Sequence, residues 1–347
     1  MERIKYSKQN KTKRMNSLHA FVSQLTAELT GSGRHATARS YESALKRLTL
    51  FTRNEKITFA ELTPSLLKRY EQHLYADGCK RNSVSLYMRM LRSICNQARR
   101  LGIADFQAGL FDEVFTGTES CRKRAVSPDV IRRLYEFDLE AETYALRFSR
   151  DMFLLSFYLR GIPFVDLAHL RKSDLGKNLL TYRRSKTGRE LTVSLEPCAL
   201  AILRKYALPA EGSPYLLPII TRIGKNEYGQ YQSALRLYNC HLERISKLMG
   251  LKESLTSYVA RHSWATAAYR EGIPVAVISE SLGHSSEKVT YNYLASFDNR
   301  TLKRANRKVI ALIMPQTTKL RFGKGSPGLP ETPCPAPRHK WENKALG

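Results

Sequence analysis

Residues Tyr258 to Phe297 read YVARHSWATAAYREGIPVAVISESLGHSSEKVTYNYLASF. Arg261 and His262 fall at a helix start, His284 closes the triplet LGH, and Tyr293 comes nine residues after His284. Upstream, Lys186 occupies the turn SKTG, and Arg160 precedes the apolar helix of LRGIPFVDL with Pro163 near its first turn. A cation at a helix start is poorly placed, because the helix dipole is positive there, unless an anion arrives. A planar guanidinium can bond two phosphate oxygens at once. Arg160 is therefore either a surface charge or part of a phosphate clamp, and residues far down the chain decide which.

Composition narrows the partner. The chain has 347 residues, 42% of them hydrophobic, enough for two packed domains. No stretch approaches the ~18 to 20 apolar residues of a membrane span. The start, MERIKYSKQNKTKRMNS, is basic but has no apolar core, which argues against a secretory signal. The six cysteines, Cys79, Cys95, Cys121, Cys198, Cys240 and Cys334, are scattered without a C-x-x-C pair. No metal site or disulfide framework is expected, and a reducing cytoplasm is the simplest setting. The 57 Lys and Arg against 31 Asp and Glu give a net charge of +26. That field attracts polyanions. The basic residues are spread over both halves rather than gathered on one amphipathic helix, which favours nucleic acid over an anionic membrane.

The elements that position these residues can be read from periodicity. Residues 1–16 read as a flexible basic arm. Helical stripes follow: Leu18, Phe21, Leu25, Leu29; then Tyr41, Leu45, Leu48, Phe51; then Leu67, Tyr70, Leu74 behind a cap-like Thr63 and Pro64. A fourth helix carries Val84, Tyr87, Leu91, Ile94, Ala98 and Leu101 on one side. Almost opposite lie Arg89, Arg92, Asn96 and Arg99. With no acidic partners in that stripe, phosphate or groove contact stands level with a solvated face. Residues 106–125 read as a linker, and Ser127 with Pro128 opens a helical stretch to about Leu159. NLLTYRRSKTGRELTVSL is a hairpin around SKTG. The chain is helical again from about Glu196, broken by 208–230, and the Pro-rich residues 316–347 read as a disordered tail.

Arg261, His262, LGH, Tyr293 and RRSKTGRE together resemble the tyrosine recombinase (phage integrase) family over roughly residues 17–315. The resemblance implies a helical, SAM-like core-binding domain (17–105) and a mainly α catalytic domain (126–315) with a small β-sheet, forming a C-shaped clamp around double-stranded DNA. It implies that Tyr293, rather than the nearby Tyr291, attacks a phosphodiester and forms a 3′-phosphotyrosyl bond with no cofactor and no metal. A phenol of pKa near ~10 needs cations or a base nearby for this. Arg261 then grips the phosphate, Lys186 protonates the departing 5′-oxygen, and His284 donates a hydrogen bond to the phosphate. His262 braces. Arg183, Arg184 and Arg189 read as contacts to the DNA backbone.

Two departures stand out. Where the family has histidine three residues before Arg261, this chain has Tyr258, a poor general base at neutral pH but able to orient a phosphate. The family's G-L-R-x-x-E-L becomes GIPFVDL, with Gly161 and Asp166 in register and Pro163 in the arginine's place. Arg160 is expected to substitute, as in a bacterial subgroup with R-G-x-x-F-V-D, so that Arg160→Ala abolishes covalent capture. The family further implies a homotetramer on two synapsed sites, a four-way junction, accessory DNA-bending proteins as further partners, and a nucleoid-associated location. The amphipathic LKRANRKVIALIM would dock on a neighbouring protomer. A DNA-binding relic that has lost cleavage and a monomeric type IB topoisomerase are the competing readings. The target sequence, and the choice between inversion, integration, excision and dimer resolution, are not written in the chain.

Overall fold

The computed structural model describes residues 17–119, 124–207, 212–291, 293 and 294, with single positions at 303, 306, 307, 309 and 310. The expected arm 1–16 and tail 316–347 lie outside the described residues, as does most of the segment after Tyr293. Every element below belongs to the compact unit Met1–Ala295.

The N-terminal half is helical: α1 (Leu18–Gly31), α2 (His35–Thr52), α3 (Pro64–Ala76) and α4 (Arg81–Arg100). Each buries the stripe its spacing prescribes. Leu18, Phe21, Leu25 and Leu29 of α1 meet Tyr41, Leu45 and Leu48 of α2 in one core. Thr63 caps α3, its hydroxyl accepting from the Leu66 N–H at 3.1 Å, with Pro64 in the first turn, where no N–H is needed. On α4 the buried face is Val84, Met88, Leu91, Ile94, Cys95 and Ala98. Tyr87 is only partly buried and Leu101 is exposed. The helical repeat centres the face on Met88 and Cys95, and Leu101 is already the residue that ends the helix.

The stretch 106–125, expected as a linker, is part of this domain as far as Glu119. Leu110, Phe111 and Val114 enter its core. The Phe115 N–H donates to Glu71 Oε1 at 2.7 Å, and the Ser85 hydroxyl donates to the Gly117 carbonyl. The mixed polarity that looked like a linker is a loop whose apolar residues point inward.

The second half opens with α5 (Pro128–Glu136) and α6 (Tyr144–Tyr158), one expected helical stretch divided in two. The Asp138 carboxylate accepts from the Glu140 N–H at 2.8 Å, an Asx turn that breaks the helix. Then come α7 (Phe164–His169), β1 (Leu179–Arg183), β2 (Glu190–Ser194), α8 (Pro197–Tyr206), α9 (Glu227–Leu248), α10 (Val259–Arg270), α11 (Val275–Ser281) and α12 (Glu287–Tyr291). The two strands pair antiparallel from Leu179↔Ser194 to Arg183↔Glu190, the hairpin expected around SKTG. Leu180, Tyr182, Leu191 and Val193 face the second core. A small third cluster holds Ala265, Ala268, Ile278, Leu282 and Leu294, with Tyr293 packed against it. The fold is thus mainly helical with one small sheet. The two halves also touch where α2 meets α9. His35 stacks on Tyr228 with ring centres 4.4 Å apart, and Arg39 Nη1 donates to Gln232 Oε1 at 2.5 Å. Among the described residues no helix is long and apolar enough to cross a membrane.

Candidate active site

Arg261 lies in the first turn of α10 and is 2% exposed. Its Nη1 donates to the Gly161 carbonyl at 2.8 Å and its Nη2 to the Leu282 carbonyl at 2.6 Å. Nη2 is also 3.1 Å from His284 Nε2. Among the described residues its Nε has no hydrogen-bond partner. Gly161 makes this approach possible. Its φ is +70°, and a Cβ there would lie 2.7 Å from Arg261 Cα. The glycine is needed for both reasons.

A second guanidinium enters from the hairpin. Arg184, expected on the DNA backbone, is 5% exposed and points inward. Its Nη1 donates to the Leu282 carbonyl at 2.7 Å, so Arg184 and Arg261 share one acceptor. The reason is strand parity: Leu180, Tyr182 and Arg184 fall on the inward face, while Arg183 points out and pairs with Glu190 at 3.6 Å. Gly283, at φ +62°, lets the Arg184 stem pass, since a Cβ would stand 2.7 Å from its Cδ. Asp166 on α7 is the carboxylate beside Arg184, 3.5 Å from its Nε. The other Asp166 oxygen accepts the Ser185 N–H at 2.9 Å and so fixes the turn bearing Lys186. Lys186 itself is exposed.

Among the described residues, two buried guanidiniums therefore meet with one carboxylate beside them, that of Asp166 at Arg184. Burial, and next to it the charge of Arg184, lower the Arg261 pKa, the mark of a cation short of anions. Burial followed by Arg261, Arg184 and Lys186 pulls the His284 imidazole down to about 3, so it is neutral at pH 7. The cluster carries an excess of positive charge in a low-dielectric pocket. An unpaired buried charge is costly, and an anion entering the cluster would offset it.

Tyr293 adjoins the cluster. Its ring centre lies 4.9 Å from that of His284 and 4.7 Å from that of His262, and the Arg261 guanidinium carbon is 5.5 Å from it. Its N–H donates to the Thr290 carbonyl at 2.8 Å, and Thr266 Oγ1 donates to its carbonyl at 3.4 Å. Tyr291 is exposed. Tyr258 is 49% exposed at the start of α10, its ring centre 6.4 Å from His262.

Arg160 is not among the buried residues of the cluster. Its backbone is left-handed, φ +57°, and its Nη1 reaches the Thr192 carbonyl of β2 at 3.5 Å. Pro163 stands just before α7 rather than inside it. Arg189 is exposed but braces the LGH turn, with Nη1 donating to the His284 carbonyl at 3.2 Å and Nη2 3.7 Å from Glu280. On α4, Arg89 and Arg92 are half-buried, and Arg92, Asn96 and Arg99 line one cleft with residues of 106–112. The stripe does have an acidic partner. Arg99 Nε is 3.5 Å from Asp105, and its Nη2 donates to the Phe106 carbonyl at 3.0 Å, because the chain folds back after α4. Sequence reasoning passed over Thr290, whose only signal was its place three residues before Tyr293. Among the described residues no group of three or more His, Cys, Asp or Glu could hold a metal.

The profile of the phage integrase family matches residues 124–300, and that of the phage integrase SAM-like domain residues 17–108. The chain is similar to the tyrosine recombinase XerD of Rhizobium meliloti, with 25% identity over 296 residues covering 82% of this chain and 91% of that one. In solved structures it is similar to a lambda integrase dimer bound to a COC′ core site, with a TM-score of 0.58 and 17% identity over 82% of this chain and 79% of that one. A lambda integrase tetramer bound to a Holliday junction aligns with a TM-score of 0.57 and 18% identity over 83% of this chain and 82% of that one. At these identities the structural likeness speaks for the fold alone.

Proposed function

The chain belongs to the phage integrase family, and from that premise we propose that it recombines DNA at specific sites with Tyr293 as its nucleophile. The Tyr293 hydroxyl gives up its proton to solvent as its oxygen attacks a backbone phosphorus, a 3′-phosphotyrosyl bond forms, and the bond to the 5′-oxygen breaks. Lys186 protonates that departing oxygen. Arg261 and Arg184 hold the non-bridging oxygens and the charge that grows on them in the transition state. Attack by a 5′-hydroxyl reverses the sequence on the same or another strand, so bond energy is conserved. Arg89, Arg92, Arg99 and Arg183 contact backbone phosphates outside the site. Four protomers on two sites, exchanging strands through a four-way junction, complete the reaction, as the lambda integrase tetramer on a Holliday junction encourages.

One observation carries this reading: two buried guanidiniums share the Leu282 carbonyl against a single carboxylate, beside the ring of Tyr293. It also weighs against a relic that has lost cleavage, since Arg184 supplies a cation despite Pro163. A duplex nicked next to the cleavage position releases its 5′-hydroxyl fragment and traps the enzyme. The wild type is expected to form a denaturation-resistant protein–DNA species and Tyr293→Phe none. Trapping by Tyr293→Phe would move the nucleophile elsewhere.

A further inference from the structure

We infer that Thr290 is a positioning residue: its hydroxyl accepts the proton that Arg261 confines to His284 Nδ1, and its carbonyl fixes where Tyr293 starts. The inference rests on the reading of Tyr293 as nucleophile and of Arg261 as the phosphate grip.

A guanidinium has donors only. Arg261 Nη2 lies 3.1 Å from His284 Nε2, so Nε2 must present its lone pair. The proton of the neutral ring is then on Nδ1. Nδ1 is 2.9 Å from Thr290 Oγ1, which accepts it. Both side chains are shut away from solvent, His284 at 5% exposure and Thr290 at 0%, so water does not compete for these bonds. The Thr290 carbonyl takes the Tyr293 N–H at 2.8 Å. One residue of α12 thus ties the histidine to the nucleophile.

The opposite tautomer would set an Nε2–H donor against the Arg261 donors and push the guanidinium away from the Leu282 carbonyl. It would also leave Nδ1 as an acceptor facing a hydroxyl that then has to donate. The Arg261 donors select against that state, and Thr290 stabilises the Nδ1–H form by accepting its proton. His284 accordingly acts through Arg261, holding its plane, rather than as the direct donor to phosphate that the family resemblance implied. This is the logic by which a third group orients a histidine in other active sites, with a hydroxyl in place of a carboxylate.

The test uses the full chain labelled with ¹⁵N-histidine. Long-range proton–nitrogen spectra separate the two tautomers, and His284→Gln identifies the His284 signals among the eight histidines. Wild-type His284 is expected in the Nδ1–H form. Thr290→Val, of the same shape, should raise the Nε2–H population and slow covalent capture of the nicked duplex by about tenfold, the loss of one buried hydrogen bond. Binding of intact duplex should be unchanged. Thr290→Ser should restore both tautomer and rate, which a packing defect would not. An Nε2–H ring in the wild type, or a Thr290→Val protein that keeps the wild-type tautomer or capture rate, overturns the inference. If the wild type itself is not captured, the nucleophile assignment fails, while the tautomer in the free protein still decides the role of Thr290.

Discussion

A buried guanidinium needs an anion, and among the described residues the one carboxylate within ion-pair distance of Arg184 or Arg261 is Asp166, beside Arg184. That asymmetry separates Arg184 from Arg160. Arg184 donates to the Leu282 carbonyl that Arg261 also uses, whereas Arg160 lies along β2 at the Thr192 carbonyl. Arg184→Ala is therefore expected to slow covalent capture of the nicked duplex by about 10²- to 10³-fold, the usual cost of one transition-state donor. Arg160→Ala should change it by no more than about two- to threefold, as a partly exposed contact does. Capture rates of the two variants, measured at saturating duplex, decide between them; a larger loss from Arg160→Ala would restore the sequence-based assignment. The motif residues Arg261, His284 and Tyr293 were legible because their spacing survives intact, and the structure brings all three together. In sequence Arg184 reads with Arg183 and Arg189 as a contact to the DNA backbone, and it is buried; alternation from Leu180 through Tyr182 already places it inward. A cluster of three arginines and lysines in four residues reads as solvent-facing until strand parity is applied to each one.

At the scale of elements, the site is a meeting of four pieces: the turn after α6, the start of α7, the hairpin end, and the stretch from α10 to α12. The helices that build them were legible because apolar spacing and caps are local signals. The break between α5 and α6 and the inward loop 106–119 were not, since a loop is recognised by polarity and these bury Leu139 in the one and Leu110, Phe111 and Val114 in the other. Nor could spacing show that the turn after α6 touches α10 through a glycine. Gly161→Ala forces φ +70° on a residue with a Cβ and places that Cβ against the Arg261 backbone. The left-handed conformation costs about 1–2 kcal/mol and the overlap about 1–3 kcal/mol more. Urea unfolding should register the sum as a lower midpoint with an unchanged slope. Capture should fall further than the lost stability accounts for, because the Gly161 carbonyl holds Arg261 Nη1. A variant as stable as the wild type would show that the turn can shift and that the contact is not a fixed strut.

For the whole molecule the governing quantity is charge. On the proposed function a chain at +26 meets DNA through both halves and releases counterions from many phosphates, so affinity is expected to fall steeply with salt. A contact to about 6–10 phosphates corresponds to a loss of roughly 10³- to 10⁵-fold between 50 and 200 mM salt. The two classes of arginine should separate in this measurement. Arg92, half-buried on the rim of the α4 cleft, is assigned to binding by the proposed function: Arg92→Ala should reduce the slope of log affinity against log salt by about one and leave capture of bound duplex unchanged. Arg184, sealed behind the LGH turn, is assigned to chemistry by the proposed function: Arg184→Ala should leave the slope unchanged while slowing capture by about 10²- to 10³-fold. Titrations of both variants over a range of salt, paired with capture at saturation, test this division. A slope unchanged by Arg92→Ala would mean that the α4 stripe is a solvated face and that the duplex is held by other cations.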